Sequence, residues 1–176
     1  MKKLLLTCAM LLPLSAYAAE LPACLQAFVK EPLQQVGKGT FRKFAFTIYH
    51  ADLWAPGGVY DPAKPYALRL TYQRDLDKGT LVDAITSDIR DQEVADEPTQ
   101  TAWGETLDGM MTGVTDGESI TGFFLPGKKA PLVHNCEVLG YISDPVLTKA
   151  FFAIWLGPKA DTDMRAGLTR RDDVAE

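Results

Sequence analysis

The sequence predicts an α+β domain in which helices cover an antiparallel sheet. Three observations predict it. Stretches with period-two alternation open the chain, helical spacing follows, and strand chemistry returns before the helical stretches that end it. The 176 residues are 47% hydrophobic and 23% charged, the make-up of one ordinary globular domain with a core of its own. No repeat at a fixed period suggests a solenoid. The net charge of −5 argues against a nucleic-acid partner, whose phosphates attract basic surfaces.

The first segment is set aside before the fold is read. Lys2 and Lys3 precede an apolar run over residues 4–15, and Ala16, Tyr17 and Ala18 form a small-x-small cleavage site. This is the pattern of a secretory signal peptide over residues 1–18, leaving a domain over residues 19–176. The run is too short to span a bilayer, and the mature chain has no stretch of spanning length. The predicted location is therefore the periplasm or the exterior.

Residues 40–54 are rich in aromatic and β-branched types and end at Pro56, Gly57 and Gly58, which predicts one long strand. Alternation puts Phe41, Ala45, Tyr49 and Leu53 on one face and Arg42, Phe44, Phe46, Ile48, His50, Asp52 and Trp54 on the other. Residues 66–72 form a second strand, with Leu68, Leu70 and Tyr72 opposite Arg69 and Thr71. The period then changes. Thr80 caps a helix striped by Leu81, Ile85 and Ile89, and Trp103, Leu107, Met110 and Met111 mark a second. Residues 119–125 return to strand, and residues 132–141 form a hairpin around Asn135, a residue that tolerates left-handed geometry. Asp144 and Pro145 start a helix carrying Leu147, Phe151, Ile154 and Trp155, which stops at Gly157 and Pro158. Asp161 caps a last short helix. The order is two strands, two helices, a strand pair and two helices.

Export gives the cysteines their meaning. Cys24 and Cys136 survive cleavage, and an oxidising compartment favours their pairing. There is no C-x-x-C pair and no Cys/His cluster at metal-ligand spacing, so neither redox nor metal chemistry is predicted, and no cofactor. Neither a nucleophile elbow nor a P-loop occurs, and Gly37-x-Gly39 is followed by strand rather than helix.

Four segments carry a resemblance. GKGTFRKFAFTIYHADLWA from Gly37, LTYQRD from Leu70, LGYI from Leu139 and FFAIWLG from Phe151 resemble, in that order and spacing, the exported bacterial branch of the chalcone isomerase-like family. The resemblance implies an open-faced β-sandwich with a cleft between sheet and helices. Plant relatives close chalcones to flavanones, and others bind fatty acids. In ligand-binding relatives the motif reads Gly-x-Gly-x-Arg, the arginine holding a carboxylate or polarising a carbonyl. Here that position is Phe41, and Arg42 comes one residue late, on the other face of a regular strand unless a bulge shifts it. The helix after the second strand also lacks the tyrosine and asparagine of the plant isomerases.

The expected function is thus non-catalytic binding of a small apolar or amphipathic ligand such as a fatty acid. Arg42 is the expected anchor for a carboxylate, because its planar fork suits one. Tyr49 and Tyr72 are expected to offer hydroxyls to a polar head, and Phe44, Phe46 and Ile48 to line the cleft. His50 has no partner that would make it a base. Asp88, Asp91, Glu93 and Asp96 read as a solvated acidic face. Two other functions remain open: an isomerase or intramolecular lyase on another substrate, and an envelope protein-interaction module without a ligand.

Overall fold

The computed structural model describes residues 21–170; the leader expected at 1–18 lies outside them. The elements run α1 (Ala23–Gln26), β1 (Leu33–Lys43), β2 (Phe46–Pro56), β3 (Tyr66–Tyr72), α2 (Lys78–Arg90), α3 (Glu97–Met110), β4 (Ser119–Phe124), β5 (Ala130–His134), β6 (Glu137–Ile142), α4 (Pro145–Leu156) and α5 (Thr162–Thr169). The six strands form one antiparallel sheet in sequence order. The α+β class and the helix-covered sheet are as the sequence predicts.

Alternation divides the sheet into two faces. Ala51, Leu53 and Ala55 of β2, Leu68 and Leu70 of β3 and Ile120 of β4 enter the main core with Leu81, Ile85, Leu107, Phe151 and Trp155 from the helices. The intervening positions Trp54, Ala67, Phe123 and Val133 point to the other face, where Leu21, Leu25 and Leu33 build a smaller cluster. Among the described residues it is chiefly the N-terminal segment that lies over that side, so the sandwich is open-faced. Cys24 is disulfide-bonded to Cys136, 112 positions away, with their Cα atoms 5.8 Å apart. The bridge fastens the N-terminal segment to the β5–β6 turn.

The helix starts follow capping chemistry. Asp96, Asp144 and Asp161 accept hydrogen bonds from the first-turn amides of α3, α4 and α5, and Pro145 occupies the first turn, where its missing N–H leaves no orphan. Helix α2 begins two residues before the expected Thr80. Its cap is Asp77, which accepts from both Thr80 N and Thr80 Oγ1.

One expected element is two. Residues 40–54 belong to a hairpin whose turn falls at Phe44 and Ala45, with Phe44 in the left-handed region at φ 55°. Glycine, asparagine and proline, the residues that advertise such turns, are all missing there. The first strand also begins earlier, at Leu33, because Gly37 and Gly39 mask its strand character without preventing it. Their smallness serves packing: a Cβ on Gly37 would collide with the carbonyl oxygens of Gly167 and Leu168 in α5, and one on Gly39 with Met164 Sδ. The Gly-x-Gly pair is what lets α5 lie against β1.

Candidate functional site

Between the sheet and helices α2 and α4 lies a cleft of about 600 Å³, within the ~300–1,000 Å³ typical of ligand sites. Leu70, Ile85, Met111, Ile120, Phe151 and Ile154 give it apolar walls. A concavity of about 570 Å³ beyond the C-terminal end of α2 is a polar surface groove lined by Arg90, Asp91, Glu93, Ala95, Glu97 and Gln100. Of these two, the first has mostly apolar walls.

Tyr49 and Tyr72, both expected at the site, line the cleft together. They are cross-strand partners in the β2–β3 ladder, which brings their rings edge to face with centroids 5.9 Å apart. Trp155 of α4 donates its indole N–H to Tyr49 Oη at 2.9 Å, leaving the Tyr49 proton available to another acceptor. Burial pushes the Tyr49 hydroxyl up to about 12, partly offset by the Trp155 hydrogen bond and reinforced by Asp88 and Asp161. Tyr72 is raised by burial and by Tyr49. The Tyr72 side chain makes no hydrogen bond to any described residue. Both phenols are therefore neutral donors at physiological pH.

Phe41, at the position of the family arginine, is in the cleft and stacks on Tyr49 with centroids 5.1 Å apart. The ladder does slip between Phe41 and Arg42, but the slip does not bring Arg42 inward: it is exposed and is not among the lining residues. Lys43 lines the cleft instead. Plain alternation accounts for the exchange: Lys43 shares the face of Phe41, and Arg42 stays on the opposite one because the slip does not turn it inward. Ile48 also lines the cleft, whereas Phe44 and Phe46, expected there, are 93% and 60% exposed.

The acidic run is not simply a solvated face. Asp88 and Asp91 line the cleft with Asp161, and burial followed by repulsion from Asp91 raises the Asp88 carboxyl. Glu93 pairs with Lys159 at 2.9 Å, and Asp96 caps α3. Lys159 is thereby engaged, donating also to Asp91 O. Lys43 has no ion pair among the described residues and is the cleft's uncommitted cation. His50 is exposed and hydrogen-bonds Thr40 Oγ1 through Nδ1. Trp103 is core, donating to the Asp144 carboxylate at 2.9 Å.

The family model for chalcone isomerase-like proteins matches residues 18–169. The chain belongs to the chalcone isomerase-like family. No curated protein matches it in sequence. Among solved structures it is similar to an Arabidopsis thaliana fatty-acid binding protein, with a TM-score of 0.61 over 78% of this chain and 86% of that one, at 11% identity. At that identity the likeness is one of fold. No arginine is among the lining residues of the cleft.

Lys43 and Trp155 escaped the sequence reading as site residues. An indole N–H inside an otherwise apolar helical stripe needs a partner, and that need is the signal that would have singled out Trp155.

Proposed function

We propose that this protein binds a small amphipathic molecule of the fatty-acid class in the cleft, without transforming it, after export and cleavage behind Ala18. The observation that carries the reading is an apolar-walled cleft of about 600 Å³ in which the Tyr72 hydroxyl has no partner among the described residues. A donor that faces the cleft and has no partner among the described residues can give its hydrogen bond to an acceptor on a ligand, and inside an apolar cleft that bond is worth more than in open water. The acyl chain would lie along Leu70, Ile120 and Phe151, with its carboxylate drawn to the Tyr49 and Tyr72 hydroxyls and to Lys43, away from Asp88, Asp91 and Asp161. The similar plant fatty-acid binding fold supports the ligand class, and the Cys24–Cys136 bridge supports export.

Lys43 takes over the anchoring role that the sequence suggested for Arg42. Calorimetric titration with a medium-chain fatty acid and its methyl ester tests the arrangement. The acid should bind more tightly. Tyr72→Phe should weaken it about tenfold, as expected for a hydrogen bond to a charged group. Lys43→Ala should weaken it roughly two- to fivefold, an exposed cation contributing less, and Arg42→Ala should leave it unchanged. Equal affinity for acid and ester would remove the charge recognition; no binding of either would remove the function.

A further inference from the structure

The tip of the β1–β2 hairpin has a surface that ligand binding does not explain. Phe44 is 93% exposed and Phe46 60%, with Phe41 beside them at 37%. Phe44 is the turn residue at φ 55°, a conformation bulky side chains seldom adopt, and it points its ring at solvent. Residues 40–48 contain Arg42 and Lys43 and no carboxylate, within a chain of net charge −5. Arg74, from the loop after β3, holds its guanidinium carbon 5.2 Å from the Phe46 ring centroid. Three cations thus accompany two projecting phenylalanines.

We propose that this tip docks on a bilayer surface rich in anionic phospholipid. Phe44 and Phe46 enter the boundary between headgroups and acyl chains, where amphipathic aromatic surfaces settle, and Arg42, Lys43 and Arg74 meet the phosphates. Local charge selects this occupant, being opposite in sign to the rest of the molecule. Size selects it too: a narrow hairpin tip offers far less than the roughly 1,200 Å² that a stable protein interface buries, whereas interfacial anchoring needs only a few aromatic and basic side chains. Phe41, Lys43 and Ile48 belong both to the hairpin and to the cleft lining, so docking sets the cleft against the membrane. The docking itself does not rest on what the cleft binds.

Flotation of the exported, processed chain with phosphatidylcholine vesicles containing about one-third phosphatidylglycerol tests the proposal. The wild type should float with these vesicles and much less with pure phosphatidylcholine. Phe44→Ser/Phe46→Ser should reduce partitioning at least about tenfold, while its thermal melt and its fatty-acid titration without vesicles stay at wild-type values. Arg42→Ala and Arg74→Ala should each lose roughly fivefold on the anionic vesicles alone. Absence of flotation overturns the proposal, as does partitioning that ignores the double substitution. So does a wild-type dimer in sedimentation that Phe44→Ser/Phe46→Ser dissociates while vesicles capture neither protein. Failure of the fatty-acid titration with flotation intact would remove the cleft's ligand and leave the docking.

Discussion

Tyr49, Tyr66 and Tyr72 place three phenols in the helix-covered core, and burial raises all three above the ordinary tyrosine range. Such a group holds its proton more tightly in the folded chain than in the unfolded one. Its contribution to stability is complete below the unfolded pKa of about 10 and disappears as pH rises through the folded value, which for Tyr49 is about 12. The melting temperature should therefore fall as pH climbs past about 10, and less steeply in Tyr49→Phe. Parallel slopes in fluorimetric melts of the two proteins would contradict the buried-phenol account. The shared face of Tyr49 and Tyr72 was legible because each sits on a regular stretch of strand where alternation holds. Lys43 lies on the same alternating face as Phe41 and was passed over only because Arg42, one residue off that face, has the better chemistry for a carboxylate.

Helix α5 and strand β1 meet through glycine at both surfaces: a Cβ on Gly37 reaches α5 carbonyls, and one on Gly167 reaches Lys38 O. Backbone cannot swing aside as a side chain can, so Gly37→Ala should cost about 1–3 kcal/mol and lower the melting temperature by roughly 2–10 °C. Gly109, exposed in α3 with nothing within 4 Å of an added Cβ, is the counterpart. There Gly109→Ala should stabilise by up to about 1 kcal/mol, since alanine is the better helix former. Paired thermal melts check both, and equal shifts would refute the packing argument. Elements with strong local signals could be read from the sequence: β3 has its expected bounds, α4 starts behind Asp144, and Asn135 turns the β5–β6 hairpin at φ 54°. What escaped were the start of β1, whose glycines answer to a helix more than 120 positions on, and α1, four residues held by tertiary contacts.

At the scale of the molecule, two cores sit on the two faces of one sheet, and only the smaller depends on the Cys24–Cys136 bridge. Closing so long a loop is worth about 4–5 kcal/mol in the chain-entropy picture. Cys24→Ser/Cys136→Ser should lower stability by that order, and hydrogen exchange should show the loss first in residues 21–33. Fatty-acid affinity should be retained, since no cleft residue belongs to the smaller cluster; loss of affinity with the fold intact would show that the two faces are coupled. The sheet order, running β1 to β6 as the chain does, has a consequence for how the protein is made. Each strand finds its partner in the strand synthesised just before it, so the sheet can grow hairpin by hairpin from the N-terminal side. The first strand nevertheless waits longest for its cover, because α5 is the last of the described elements to be translated. A chain stopped before residue 162 would leave the glycine-lined face of β1 bare beside the sheet's terminal edge, the kind of open edge on which a second unfinished chain can pair.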